Sequence, residues 1–161
     1  MARIIVADDG IIQRKFYESV LEYLGHEQVL CKNGQEAVDA FKEKAADLVI
    51  LDYEMPVMDG AEACKEIRHT PGGIKVPIII VSAHDEEEFV LKCMNAGAND
   101  YILKPVKEPH LIAKLKNFLQ ISSLHKNELD LAQNQTVVAD RFKIKKILGY
   151  GAHSVVFLAE D

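Results

Sequence analysis

The sequence predicts an α/β fold, a doubly wound five-stranded parallel sheet with helices on both faces. Short apolar segments alternate with amphipathic segments of helical period along the first 120 residues. The apolar segments carry hydrophobic residues at consecutive positions, as strands covered on both sides do. Glycine, proline and asparagine mark the boundaries of several segments.

The first half of the chain supplies three of the strands and two of the helices. Its predicted elements are a strand at Arg3–Ala7, a helix with the stripe Ile12, Phe16, Val20 and Leu24 that ends at Gly25, a strand at Gln28–Cys31, a helix capped by Asn33 with the stripe Ala37, Val38, Phe41 and Ala45, and a strand at Leu48–Leu51.

The second half continues the alternation. Its predicted elements are a helix at Ala61–His69, a strand at Pro77–Val81, a helix at Asp85–Ala96 closed by Gly97, a strand at Asp100–Leu103, and a helix at Lys107–Gln120. Because all five strands are expected to be parallel, their carboxyl ends should lie along one edge of the sheet.

Composition limits the classes of function. The chain has 161 residues, 48% hydrophobic and 27% charged, which is typical of one globular domain with an appendage. The net charge of −6 lies in residues 1–120, which carry 14 Lys and Arg against 20 Asp and Glu. An acidic body of this kind argues against nucleic-acid binding and suits a protein that binds a cation or a basic partner.

Cysteine usage and hydropathy indicate a compartment. Cys31, Cys64 and Cys93 have no metal-ligand spacing and are expected to be buried thiols of a reducing environment. No apolar run approaches the roughly 20 residues of a membrane span, and the first apolar run is too short for a signal peptide. We therefore expect a cytoplasmic chain without a membrane partner.

Polar residues gather at the predicted carboxyl edge of the sheet, where Asp8, Asp9, Asp52, Ser82 and Lys104 each follow or end a strand. Neighbouring carboxylates repel one another and require a cation or protons, and Mg²⁺ prefers oxygen ligands. With that charge screened, Asp52 could attack a phosphorus centre, while the lysine pairs with Asp52 and the serine hydroxyl donates to a phosphoryl oxygen.

These residues resemble the receiver domain of two-component response regulators over about residues 1–121. The motifs that carry the resemblance stand in family order: Asp8-Asp9, Asp52 followed by Met55-Pro56 and Asp59-Gly60, Ser82-Ala83, Gly97-Ala98-Asn99-Asp100-Tyr101, and Lys104-Pro105. The resemblance implies the flavodoxin-like receiver fold. It also implies a phosphorelay module that is not a turnover enzyme, since it transfers phosphate only to itself and loses it slowly.

The resemblance assigns roles residue by residue. Asp52 would be the phosphoacceptor. Asp9, Asp52 and the main-chain carbonyl of Glu54 would bind Mg²⁺ directly, and Asp8 would hold a metal-bound water. The phosphoryl group would be bound by Ser82 and Lys104, Ser82 and Tyr101 would form the switch pair, and the peptide before Pro105 would be cis. A cognate histidine kinase or phosphotransfer protein would be the donor, and a homodimer stays open.

Two other functions remain as alternatives. A haloacid-dehalogenase-type phosphatase also uses an aspartate nucleophile with Mg²⁺, but it needs an aspartate two residues later, in the loop after the first strand. Here Glu54 occupies that spacing, after the third strand. A receiver-like scaffold that works without phosphate is the other alternative. Glu54 could also change the lifetime of the phosphorylated form.

The end of the chain changes character. Residues 122–140 are predicted to be a linker or an extended helix, and residues 141–161 to be two strands joined by a glycine turn. Gly149, Gly151, Ser154 and Val156 resemble the glycine-rich loop that begins a Ser/Thr-type protein kinase domain. The resemblance implies a fragment of a longer protein in which the receiver regulates a following kinase, and the chain ends before any catalytic kinase motif.

Overall fold

The computed structural model describes residues 1–133, 143–150 and 155–160. Its elements in chain order are β1 (Arg3–Ala7), α1 (Ile11–Leu24), β2 (Glu27–Cys31), α2 (Gly34–Glu43), β3 (Leu48–Asp52), α3 (Gly60–Arg68), β4 (Ile78–Ser82), α4 (Glu87–Asn95), β5 (Asp100–Leu103), α5 (Glu108–Gln133), β6 (Lys143–Tyr150) and β7 (Val155–Glu160). The predicted alternation of five strands and five helices is confirmed.

The five strands β1 to β5 form one parallel sheet in the order β2-β1-β3-β4-β5. The chain therefore passes from β1 to one side for β2 and then to the other side for β3. This reversal opens a crevice at the carboxyl ends of β1 and β3, where open α/β sheets bind ligands. The predicted doubly wound fold is confirmed.

The centre of the sheet is buried on both faces. Every residue of β3 and of β4 is buried, although the two faces of a strand alternate along it. Each fully buried isoleucine of β4 contributes roughly 1.5–3 kcal/mol of transfer free energy. The burial of β3 and β4 on both faces thus fixes where the two strands end. It thereby fixes the positions of Asp52 and Ser82, which are their last residues.

Local signals in the sequence end or begin two helices as predicted. Gly25 ends α1 in the left-handed conformation, with φ of 78°, and its N–H bonds the carbonyls of Leu21 and Glu22. At the start of α2, the Asn33 side chain accepts a hydrogen bond of 2.9 Å from the Glu36 amide. The three cysteines are free and buried, as expected.

The predicted apolar stripe of α1 is wrong at its beginning. Ile12 is 75% exposed, and the buried residues of the helix are Tyr17, Val20 and Leu21. Residues four apart drift by about 40° per step around a helix of 3.6 residues per turn, so a stripe of four such residues cannot stay on one face. Ile12 and Phe16 instead line a groove beside Lys104.

The stripe of α2 was also extended too far. The helix ends at Glu43, and Ala45 is exposed beyond it. The residues of that stripe inside the helix, Ala37, Val38 and Phe41, are buried.

The chain divides into two units, Met1–Ala113 and Lys114–Asp161. In the second unit, β6 and β7 pair antiparallel, from Lys143 opposite Glu160 to Tyr150 opposite Val155. The predicted linker overlaps α5 as far as Gln133, and residues 134–140 lie outside the described residues. None of the helices in the described part of the chain combines the length and apolarity needed to cross a bilayer.

Candidate functional site

The candidate site lies at the carboxyl ends of β1, β3 and β4. Parallel pairing sets Ala7 beside Leu51, and Asp52 beside Val81. Asp8 follows β1 directly, Asp52 ends β3, and Ser82 ends β4. The sheet order therefore brings together polar residues that lie far apart in the sequence.

Three carboxylates meet in the crevice. Asp8, Asp9 and Asp52 each offer an oxygen that lies within 4.8 Å of the others. Asp8 is 2% exposed and Asp52 is 4% exposed, whereas Asp9 opens to solvent. Three anionic groups at this separation repel one another strongly unless a cation or protons neutralise them.

The bonding of Asp8 leaves an acceptor available. Its Oδ1 accepts a hydrogen bond of 2.8 Å from the Gly10 amide, while its buried Oδ2 has no hydrogen-bond partner. A buried carboxylate oxygen without a partner is costly. The orphaned oxygen and the all-oxygen donor set fit a hard divalent cation such as Mg²⁺.

The electrostatics of Asp52 reflect its burial. Desolvation raises the pKa of Asp52 to about 6, with a further contribution from Asp8, although the hydrogen bond from Lys104 opposes the shift. Desolvation likewise raises the pKa of Asp8, against the hydrogen bond from Gly10. Without a cation, the site thus disfavours the ionisation of Asp8 and Asp52 together.

Lys104 supplies the nearest positive charge. Its Nζ lies 2.9 Å from Asp52 Oδ1. Burial by itself would lower the pKa of Lys104, but the hydrogen bond and the charge of Asp52 raise it overall. The Lys104 amide donates to the Ser82 carbonyl at 2.8 Å, and the peptide between Lys104 and Pro105 is cis. Backbone pairing of β5 with β4 therefore positions the ammonium over the carboxylate.

The loop after β3 approaches the site closely. A Cβ at Gly60 would lie 2.4 Å from the carbonyl oxygen of Asp52, so only glycine fits there. Asp59 caps α3 by accepting a 2.8 Å hydrogen bond from the Glu62 amide. The Asp59-Gly60 pair thus both begins α3 and lets it pack against the end of β3.

The same loop contains a strained turn. Val57 has φ of 72°, and the Met58 amide donates to the Pro56 carbonyl at 2.8 Å across it. This is a γ-turn with a β-branched residue in a conformation that such residues rarely adopt. Val57 is 78% exposed, so its side chain gains little packing in return.

Glu54 lies at the mouth of the site. Together with Asp9 and Asp59 it lines an open cleft of about 480 Å³. Its side chain is 72% exposed and contacts His84 Nε2. The structure thus gives the Glu54 side chain a position at the entrance and a partner in His84.

Ser82 and Tyr101 are joined through the backbone of His84. The His84 amide donates to Ser82 Oγ at 3.0 Å, and the Tyr101 hydroxyl donates to the His84 carbonyl at 2.5 Å. Burial raises the pKa of Tyr101, and the nearby Ser82 hydroxyl opposes this in part. The structure therefore brings together the two residues that the resemblance paired.

Sequence reasoning missed His84, to which it assigned no role. Its ring contacts Glu54 through Nε2 and approaches Glu86 Oε2 at 3.6 Å through Nδ1. The hydrogen bond to Glu54 raises the pKa of His84. A signal was present, since a histidine two residues after the strand-ending serine can reach a glutamate two residues after the strand-ending aspartate.

Sequence reasoning also missed Arg68. Its guanidinium donates to the carbonyls of Gly73, Ile74, Val76 and Gly97 and to Asn99 Oδ1. Asn99 Oδ1 also accepts from the Ile78 amide at 2.8 Å. Desolvation lowers the pKa of Arg68. One side chain thus ties the end of α3 to the loops before β4 and β5.

The residues of the kinase-like loop are only partly described. Gly149 lies in β6 and Val156 lies in β7, whereas Gly151 and Ser154 lie outside the described residues. All the other residues predicted for the site lie in the described part of the chain. Tyr101 lies inside β5, and the rest lie on the carboxyl edge of the sheet or in its loops.

Comparison with protein families gives a match over most of the chain. The model of the response regulator receiver domain matches residues 4–116.

Curated relatives include the response regulator MprA of Mycobacterium sp. (strain KMS), 34% identical over 121 residues, 75% of this chain and 52% of that protein. Another is the signal transduction histidine-protein kinase BarA of Escherichia coli K12, 31% identical over 135 residues, 84% of this chain and 15% of that protein. The chain thus spans about half the length of the first of these relatives.

Solved structures show the same architecture. The receiver domain of a sensor histidine kinase from Pseudomonas aeruginosa, described with a magnesium ion coordinated in its active-site cleft, is 31% identical with a TM-score of 0.70. The similarity covers 74% of this chain and 98% of that one. A chemotaxis protein of Vibrio cholerae is 28% identical with a TM-score of 0.69, over 72% of this chain and 97% of that one.

Proposed function

The chain belongs to the response regulator receiver domain family, and from that premise we propose that it accepts a phosphoryl group on Asp52 with Mg²⁺ bound beside it. One observation carries the proposal most directly. Asp52 is a buried carboxylate that shares a crevice with two further carboxylates and lies 2.9 Å from Lys104 Nζ. This is a nucleophile, a cation site and a phosphoryl-binding charge in one place.

The chain's own residues would divide the work. Asp9, Asp52 and the main-chain carbonyl of Glu54 would hold Mg²⁺ directly, and Asp8, with its free buried oxygen, would hold a metal-bound water. When bound, the ion neutralises carboxylate and phosphoryl charge. We infer from the all-oxygen donor set that Mg²⁺ is the ion that binds at this site.

The transfer itself needs a donor with a good leaving group. A carboxylate oxygen of Asp52 forms the new bond to phosphorus, and the bond from phosphorus to a donor imidazole breaks, so that the imidazole leaves with the electron pair. Lys104 then moves from the carboxylate to an oxygen of the phosphoryl group. We propose a histidine kinase or a phosphotransfer protein as that donor.

Phosphorylation would be reported through Ser82 and Tyr101. The Ser82 hydroxyl would turn to donate to a phosphoryl oxygen, and the Tyr101 ring would occupy the space behind it. Their shared contacts with His84 support this coupling, because a shift of one side chain disturbs a bond of the other.

We also propose the division into a receiver at 1–121, a linker or extended helix at 122–140, and the start of a kinase-like domain at 141–161. In the longer protein the receiver would regulate that kinase. The antiparallel pairing of β6 and β7 supports two neighbouring strands in this segment. The reading frame beyond residue 161 tests this, since it should encode a lysine on the third strand and the two catalytic aspartates of protein kinases.

Intact-protein mass spectrometry tests the acceptor function. The chain is incubated with acetyl phosphate, once with Mg²⁺ and once with EDTA, alongside Asp52→Asn and the exposed control Asp39→Asn. We expect one phosphoryl adduct that needs both Mg²⁺ and Asp52, and that Asp39→Asn retains. An adduct on Asp52→Asn would contradict the assignment of Asp52 as the acceptor. The absence of an adduct on the wild type under either condition would also contradict the proposal, and it would favour a phosphate-independent scaffold.

A further inference from the structure

His84 contacts both residues of the proposed switch pair and also the glutamate at the mouth of the site. Its amide binds the hydroxyl of Ser82, its carbonyl binds the hydroxyl of Tyr101, and its ring contacts Glu54 at the mouth of the site. The same ring stacks on Phe89 of α4, with centroids 4.2 Å apart and planes 12° from parallel. No other residue in the described part of the chain is shown to hold this set of contacts.

We propose that the side chain of His84 is a positioning residue that couples the Asp52 site to α4, through Glu54 on one side and Phe89 on the other. The inference rests on the proposed function, because it concerns how phosphorylation reaches this helix. It adds a side-chain link to the pairing of Ser82 with Tyr101.

The ring cluster around His84 is built on the residue next to the acceptor. Tyr53 follows Asp52, is buried, and meets Phe89 edge-on at 5.5 Å and His84 edge-on at 5.9 Å. Lys92, also on α4, places its ammonium 5.6 Å from the centre of the Tyr53 ring. Edge-to-face and stacked rings hold preferred geometries, so a shift of one ring displaces the others.

The helix that carries Phe89 has few other anchors. Cys93 is the single buried residue of α4, whereas α3 buries five residues and α2 buries four. Elements with little buried apolar surface open and shift at low free-energy cost. Contacts at Phe89 and Lys92 therefore carry much of what fixes this helix.

Phosphorylation would act on His84 from two directions. A phosphoryl group on Asp52 adds negative charge beside the cleft that Glu54 lines, and Glu54 is free to swing away because its side chain is 72% exposed. At the same time the Ser82 hydroxyl is drawn toward a phosphoryl oxygen. This movement takes it away from the His84 amide, from which it accepts a hydrogen bond in this structure. Both changes move the imidazole, which lies flat on Phe89.

Hydrogen exchange of α4 tests the coupling on the whole chain. Exchange of peptides covering residues 87–95 is measured with Mg²⁺, with and without acetyl phosphate, and intact mass of the same samples counts the adduct. His84→Phe keeps a ring on Phe89 but loses the contact with Glu54, and Phe89→Leu loses the stack. Phe89→Tyr keeps the stack, and His69→Phe makes the same substitution at an exposed site.

We expect phosphorylation to change exchange in α4 of the wild type, of Phe89→Tyr and of His69→Phe. In His84→Phe and in Phe89→Leu the change should fall to about half or less, at an unchanged amount of adduct. A full change in His84→Phe, or no change in the phosphorylated wild type, would overturn the coupling.

Loss of the adduct in His84→Phe alone would also overturn the assignment, since His84 would then act in the transfer itself. Absence of the adduct from the wild type is a different result, because it means that the proposed acceptor function fails. The mass measurement separates these two failures.

Discussion

Replacing Asp52 by asparagine should stabilise the fold, and by an amount that grows with pH. Burial raises the pKa of Asp52 to about 6, from an ordinary value of 3.8. A group whose pKa is higher in the folded state loses stabilising free energy as pH rises from its unfolded to its folded pKa. The contribution of Asp52 to the stability of the wild type should therefore fall between about pH 4 and pH 6, and then level off.

The size of the effect follows from the same two values. At 1.36 kcal/mol for each pKa unit, the ionised Asp52 costs about 3 kcal/mol, and access of solvent to the cleft reduces this to about 2 kcal/mol. Asparagine has a similar shape and no charge, so Asp52→Asn avoids the cost. The pH dependence that comes from groups present in both proteins largely cancels in the difference between their free energies of unfolding.

Urea unfolding of wild type and Asp52→Asn in EDTA, across about pH 4 to pH 7, measures this difference. It should be small at the acid end and reach about 2 kcal/mol near neutral pH. Added Mg²⁺ should stabilise the wild type more than the variant, because it binds the folded carboxylates. The exposed control Asp39→Asn should show no such trend. A difference independent of pH would refute the reasoning.

Three further substitutions test other parts of the site. Lys104→Met should strengthen Mg²⁺ binding to the crevice by about 3- to 10-fold in titration calorimetry, because it removes the ammonium that competes at Asp52; weaker binding would contradict this. Val57→Gly should raise the free energy of unfolding by about 1 kcal/mol, since glycine tolerates the φ of 72° that Val57 adopts. A loss of stability would show that the turn is unstrained. Arg68→Lys should lower the free energy of unfolding by about 3 kcal/mol in urea unfolding, because an ammonium cannot replace the guanidinium's hydrogen bonds to buried carbonyls. A change within about 0.5 kcal/mol would show that this network is not structural.

The order of elements could be predicted because strands and helices are encoded locally. Consecutive apolar residues in β3 and β4 indicate strands covered on both faces, and Gly25 and Asn33 place helix ends. The polar edge was predictable from the same patterns, since parallel strands align their carboxyl ends. What failed was the first residue of the α1 stripe, because residues four apart drift around the helix axis, and the last residue of the α2 stripe, which lies beyond the end of that helix.

Spacing from the strand ends pointed to the contact between His84 and Glu54, but the stack of His84 on Phe89 and the contacts of Arg68 could not be derived in this way. Each side chain meets partners that are distant in sequence, such as Glu54 for His84 and Gly97 for Arg68. Whether either side chain reaches such a partner depends on loop paths that local propensity does not set. Likewise, the strain at Val57 follows from how the loop closes between β3 and α3.

Local patterns along the chain establish the α/β class, the five parallel strands and the identity of the residues at their carboxyl edge, because burial and turn chemistry act over a few neighbouring residues. The tertiary structure decided the rest: the strand order that sets Asp8 and Asp9 beside Asp52, the 2.9 Å approach of Lys104, and the stack of His84 on Phe89. These depend on distances between segments that only the packed sheet and its helices define. The residues of the site could therefore be predicted from the sequence, whereas the contacts between His84 and α4 depend on packing.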